Sequence, residues 1–511
     1  MIDFKKKIKE ATESEKISAS VVTALVLLVV IVFNLLLYVV VEAFELRFYD
    51  EEEPDLSLSG STDLLFEEAV SEGKKVKISF CYPESDLKNM SLAEGDPGAF
   101  VYRTAKYFEE RYPDFIELDF INIITRISDK TKDFVELSKY QKDMRGNETP
   151  IYKNSVIFEC GNNYRVLTDT STGVGFANFF TLDSEMNTTA YNGEEVMASM
   201  ISWVLNDEHK SVYFTRYHGE TADLSFSNLL ASLGYYIEVL DLRKEEVPDD
   251  AGLVIISNPT GDFEASREGS GIRSEIDRLN TYLNRGGNLY VSIDPYVKTL
   301  PVLEGLLAEY GITFSTTKTD GKNVKNLVTD PSYAITTDGY TLVGEFADNT
   351  VANKISNTVR KYTNGNVITR ESAALILDGD ARPLLVSSSS ASLMAGGNAV
   401  SNEGGYCISA YSEKQTESGI SRVFVIPSIY IAVSDSLISN EYANKDFLFA
   451  LFEELFGANK APHGCKAIIY ETQNLENLTM GTAKLYTALI MLVPTVIICV
   501  GAFVIVRRKN R

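Results

Sequence analysis

The chain reads as an α/β protein in which two transmembrane helices flank a large extracytoplasmic region. Three observations predict this. Short apolar runs rich in β-branched and aromatic residues alternate with segments of helical period between residues 56 and 456. Ile17 to Val41 is uncharged over 25 residues, and Leu485 to Val506 over 22. Each run exceeds the roughly 20 helical residues that cross a hydrocarbon core. Lys and Arg also cluster on the two outer flanks of these runs.

Taking the elements in order, Met1 to Lys16 is a polar tail with Lys5, Lys6, Lys7, Lys9 and Lys16. The run 17–41 is too long for a signal-peptide core and ends in Glu42-Ala-Phe-Glu45, so it reads as an uncleaved anchor. Leu485–Val506 closes on Arg507-Arg-Lys-Asn-Arg511. With basic residues on those flanks, both tails are expected in the cytoplasm and the bulk outside, in a two-pass cell-membrane protein in contact with lipid. The expected units are an α/β domain over 42–310, a second over 311–460, and a tether over 461–484.

Within the bulk, Leu56 to Thr62 leads into an amphipathic helix with Ser or Thr placed to cap it. Val76–Tyr82 is a strand ended by Pro83, Ala99–Tyr112 a helix and Phe115–Ile124 a strand. Ser155–Thr168, broken at Gly161-Asn-Asn163, reads as a hairpin. Glu194–Leu205 is a helix with Met197, Met200, Ile201 and Val204 on one face. Val212–Thr215 is a buried strand that stops at a polar loop, Arg216-Tyr-His-Gly-Glu220. A helix at 224–233 follows, then strands at 236–242 and 253–259, a helix at 272–283 closed by Arg285-Gly-Gly287, and a strand at 289–293 ending in Asp294-Pro295. Continuous apolar strands alternating with helices imply a mostly parallel sheet covered on both faces, and this half resembles a flavodoxin-like or glutamine-amidotransferase-like α/β unit. After a helix at 301–310 the composition shifts. Residues 313–366 read as strands with long loops, 387–405 as an exposed loop, 421–427 as a buried strand and 444–455 as an amphipathic helix.

The composition narrows the chemistry. A formal net charge of −23 argues against a nucleic-acid footprint. Five scattered cysteines without CxxC spacing argue against a zinc site or a disulfide framework. No GxxxxGK[ST] phosphate loop, GxSxG elbow or amidotransferase-type Cys turn is present. The candidate binding loop is therefore His218, Gly219 and Glu220, with Asn258 and Asp294 at the neighbouring strand ends. His218 and Glu220 suit a general acid–base pair, a loop fixed by its own hydrogen bonds, or a binding surface. Neither they nor Asp294 supplies enough ligands for a metal, and no cofactor is expected.

Several stretches in order resemble the GldG-like, gliding-motility-associated auxiliary components of ABC-type transport systems. They are Leu56–Ser59 approaching Thr62, Val212–Glu220 with its His-Gly-Glu loop, Asn258-Pro259, Gly286-Gly287 leading to Asp294-Pro295, and Ser421-Arg-Val423 with the helix from Asn444. Tyr217 stands where the family usually has a Gly before the His, and 120–126 lacks the Asp-Pro that often follows its strand. The resemblance implies a non-enzymatic partner of separate ABC permease and ATPase subunits that binds substrate or cell-envelope material. An envelope hydrolase using His218 and Glu220, and a stand-alone ligand-binding protein, are the alternatives.

Overall fold

The computed structural model describes residues 57–90, 96–168, 176–182, 185, 187–266, 273–319, 321–469 and 507. Among them no helix is long and apolar enough to cross a membrane. The expected fold class, membrane keywords and two-pass localisation are corrected on that finding: the α/β class holds, while no described helix is a transmembrane span. The runs 17–41 and 485–506 lie outside the described residues, as do the tail 1–16 and most of the tether.

Helix α1 (Gly60–Ser71) starts where Ser59 Oγ accepts the Thr62 amide at 3.3 Å, the cap that the Ser/Thr cluster predicts. Strands β1 (Val76–Phe80), β2 (Ile116–Asn122), β3 (Val156–Cys160) and β4 (Asn163–Leu167) form a five-stranded sheet with a short outer strand at Ile127–Ser128. β1 pairs parallel to β2 and antiparallel to β3, and β3–β4 is the expected hairpin. Helices α2 (Pro97–Arg111) and α3 (Gly193–Leu205) share its core, with Phe66, Phe108, Phe158 and Trp203 fully enclosed. Met197, Met200, Ile201 and Val204 of α3 are all buried, as their spacing predicts.

The larger sheet has eleven strands among the described residues. In chain order its main strands are β5 (Ser211–Thr215), β6 (Tyr236–Leu240), β7 (Ala251–Ser257), β8 (Asn288–Ser292), β9 (Thr341–Phe346), β10 (Val367–Arg370), β11 (Ala381–Val386), β12 (Cys407–Thr416) and β13 (Gly419–Ile426). They lie in the order β10-β9-β11-β12-β13-β8-β7-β5-β6. From β6 to β13 every pairing is parallel, and from β13 to β10 every pairing is antiparallel. The sheet thus runs without a break through strands from both sides of residue 311.

Alternate residues of the parallel strands feed two cores. Val212, Ile255, Tyr290 and Phe424 face one side, where α4 (Leu224–Ser232), α7 (Thr350–Tyr362) and α8 (Asn444–Phe456) pack. Tyr213, Val254, Val291 and Val425 face the other, under α5 (Glu275–Asn284) and α6 (Pro301–Glu309). A strand buried on both faces needs no polar alternation, which is why these runs read as continuous apolar stretches.

Three local expectations change. Helix α5 begins at Glu275 rather than Ile272, because Ser274 and Asp277 close a capping box. Its C-terminal end is as expected: Gly286, at φ 90°, takes the left-handed turn and donates to the Leu283 carbonyl at 2.9 Å. The region 313–366 contains α7, whose Asn349 cap accepts the Ala352 amide at 3.0 Å. The expected loop at 387–405 holds a hairpin, Ser392–Ala395 paired with Asn398–Ser401 around Gly396-Gly397.

Candidate functional site

Numbered by first appearance, the five parallel strands lie in the order second, first, third, fourth, fifth, since β6 and β7 flank β5 and are followed by β8 and β13. That is the flavodoxin-type order, and its topological switch point lies between β5 and β7. In such sheets the crevice outside the carboxyl ends of these strands is the usual ligand position. Here that position holds the loop 216–223.

The loop is closed by its own residues. The His218 backbone N–H donates to Glu220 Oε2 at 2.6 Å. The ring lies 3.0 Å from Glu220 Oε1 through Nδ1 and 3.0 Å from Glu275 Oε2 through Nε2. One imidazole face stacks on Phe263, with ring centroids 4.0 Å apart. The His218 carbonyl accepts the amides of Thr260 and Gly261 at 2.8 and 2.7 Å. Ser257 Oγ donates to the Thr221 carbonyl, and the Thr221 amide returns to the Ser257 carbonyl. Gly219 sits at φ 75°, and a Cβ there would overlap Thr260 Oγ1.

Burial pulls the His218 pKa down, but the hydrogen bonds and charges of Glu220 and Glu275 outweigh it and hold the pKa above the usual value. Burial likewise pushes Glu220 up, while bonds from His218 and nearby backbone amides bring it net below the usual carboxylate value. Both shifts favour the charged pair, in which each ring N–H would donate to one glutamate. Glu275 Oε2 also accepts the Glu264 amide at 2.7 Å. Its other oxygen is buried without a hydrogen-bond partner among the described residues.

The five residues singled out from the sequence are thus only partly gathered. His218, Gly219 and Glu220 form one knot. Asn258 ends β7 at φ 50°, before Pro259, and donates its amide to the Ser292 carbonyl at 2.9 Å. Asp294 lies beyond β8, where its carboxylate accepts the Tyr296 amide at 2.9 Å and fixes a turn. Among the described residues no hydrogen bond joins either one to His218. Glu275 and Phe263 are the members that sequence reasoning missed. The signal for Glu275 was the Ser274-Glu-Ile-Asp277 capping box, which sets position 275 on the first helical turn.

Helix N-termini at this edge of the sheet are already supplied with carboxylates. Asp223 Oδ1 accepts the Ser225 amide at 2.8 Å on α4. Asp277 closes the cap of α5. Asp262 accepts the Val302 and Leu303 amides at 2.8 and 3.1 Å on α6. These are the donors that a phosphate group takes in nucleotide-binding α/β folds.

An ion-paired histidine also occurs away from this edge. His463 is buried between Asp446 and Glu453 of α8, at 3.2 Å through Nδ1 and 3.3 Å through Nε2. Burial lowers its pKa, and the two carboxylates raise it to about 9. The four described cysteines, Cys81, Cys160, Cys407 and Cys465, are free thiols.

Fold and site define an α/β protein with a flavodoxin-type parallel core and a closed His–Glu knot at its switch point. No family model matches the chain, and no curated protein matches it. Among solved structures it is similar to the mmIFT52 N-terminal domain, with 20% identity over 48% of this chain and 97% of that one, at a TM-score of 0.35. It is similar to a cytoplasmic protein, STM3548 from Salmonella typhimurium, with 12% identity over 49% and 100% of the two chains, at 0.30. It is similar to PurLQS from Thermotoga maritima, with 12% identity over 48% and 98%, at 0.27. None of the three is described as GldG-like, and at these scores they bear on neither activity nor partner.

Proposed function

We propose that the chain is a non-enzymatic auxiliary subunit of an ABC-type transport system, a scaffold that binds partner subunits and substrate or envelope material. The observation that carries the non-enzymatic part is the state of His218. Both of its ring nitrogens are engaged by carboxylates and one face lies on Phe263. A general base needs a free nitrogen within reach of a reacting proton, and a nucleophile beside it. His463 is engaged in the same way by two carboxylates of α8, so an ion-paired histidine occurs in more than one place in the fold. The Asp-filled helix N-termini support the same reading, because an entering phosphate would have to displace a carboxylate.

The ABC assignment is supported by the ordered motifs that resemble the GldG-like components. Affinity purification of the tagged full chain from its own cells tests it. An ABC ATPase and a permease should co-purify in stoichiometric amounts, and recovery of neither refutes the assignment.

A further inference from the structure

Beside the closed knot three basic side chains gather round one exposed tyrosine, in a chain whose formal net charge is −23. Tyr217 is 53% exposed and is held at φ 84°, a conformation that a tyrosine rarely adopts. The Arg243 guanidinium lies 3.7 Å from its ring centroid, Arg216 lies 4.9 Å away and Lys244 Nζ 5.9 Å. Arg243 and Lys244 share the buried carboxylate of Asp241, at 2.9 and 3.3 Å. The Asp241 amide donates to Glu245. Among the described residues Arg216 has no carboxylate partner, whereas Arg243 and Lys244 both pair with Asp241. The N–H edge of Arg243 is taken by Asp241, at 2.9 and 3.1 Å, whereas Arg216, packed against the same ring, keeps its edge available for an anion.

The anion subsite is set away from the helix N-termini, which the chain's own carboxylates fill. Exposed apolar groups lie on other loops of the same sheet edge: Leu224 at the start of α4 is 74% exposed, and Tyr296 after β8 is 63% exposed. Exposed tyrosine and arginine together are the composition of protein-interface anchors rather than of a small-anion pocket.

We propose that the Arg216–Tyr217–Arg243 surface docks an acidic polypeptide segment of a partner protein. Carboxylates of the segment take the Arg216 donors, and its chain crosses the Tyr217 ring. The proposal rests on the scaffold reading above. Its test is separable, because it uses the purified chain alone, with no ATPase or permease present.

The test is fluorescence anisotropy with a fluorescein-labelled oligoglutamate peptide, with oligoglutamine and inorganic phosphate as comparison probes. Oligoglutamate should bind, and the binding should weaken as salt rises. Arg216→Gln should weaken it about fivefold, the size of one ion pair at an exposed surface. Arg216→Lys should restore part of the loss, and Lys322→Gln, on the hairpin that pairs Thr316–Thr319 with Lys322–Lys325, should change nothing. Among the described residues Arg216 holds no ion pair, so its variants should keep the fold, as unchanged circular dichroism would show. The proposal is overturned if oligoglutamate does not bind at low salt, if oligoglutamine binds equally well, or if Arg216→Gln and Lys322→Gln behave alike. It is also overturned if phosphate displaces the peptide at equal concentration, since that outcome marks a small-anion site.

Discussion

Replacing Gly219 by alanine tests how tightly the switch-point knot is built. Two costs add at this position. Holding a non-glycine residue near φ 75° costs about 1–2 kcal/mol. The new methyl would also overlap Thr260 Oγ1, with Thr260 Cβ next at 3.3 Å. Overpacking of this kind costs about 1–3 kcal/mol. Thr260 cannot retreat freely, because its amide is bonded to the His218 carbonyl at 2.8 Å. Gly219→Ala should therefore destabilise the loop by about 2–5 kcal/mol. In a Thr260→Ala background the overlap with Oγ1 is gone, and the backbone term of about 1–2 kcal/mol should dominate what remains. The assay is amide hydrogen exchange at Thr260 and Gly261, with thermal melting as the global readout. A loss of 2 kcal/mol raises local opening by a factor of about 30. The reasoning is refuted if Gly219→Ala leaves those two amides as protected as before, or if Thr260→Ala gives no relief.

Further predictions concern His218 and Tyr290. The folded pKa of His218 is raised above 6.5, so its contribution to stability should be complete below about pH 6.5 and be lost as pH rises through the folded value. The folded pKa of Glu220 is lowered below 4.5, so its contribution should be present above that pH and be lost on further acidification. The knot should be firmest between the two, and ring NMR of His218 checks this, with Glu275→Gln expected to bring the titration down. The Tyr290 hydroxyl is fully buried without a hydrogen-bond partner among the described residues, its ring packed against Phe226, Phe424 and Phe452. Tyr290→Phe should be neutral or stabilising by up to about 2 kcal/mol, and a clear fall in melting temperature would show that the hydroxyl is satisfied.

The parallel core was legible because burial on both faces leaves its strands uniformly apolar, so β5, β7 and β8 announced themselves. Helix α7 was hidden. Its buried stripe is only Ala352, Ile355, Ser356 and Val359, set among Asn and Thr residues of low helix propensity. The hairpin around Gly396-Gly397 was hidden for the opposite reason: Asn398, Ala399 and Val400 are exposed, so no alternation marked a strand. At the site, the residues adjacent in sequence were found, because His-Gly-Glu is a local motif. Glu275 was not, since it reaches His218 across 57 positions of chain. The order of strands, and with it the switch point, follows from pairings that local pattern does not encode.

The fifth parallel strand has a consequence for how the chain is made. β8 is complete at Ser292, but β13, the strand that covers its outer edge, begins only at Gly419. At translation speeds of about 5–20 residues per second, that edge waits on the order of ten seconds for its neighbour. During the wait it offers a row of unpaired amides and carbonyls to any other nascent strand. Synthesis rate and chaperone cover over residues 293–418, rather than the final stability of the sheet, should therefore govern the yield of folded protein.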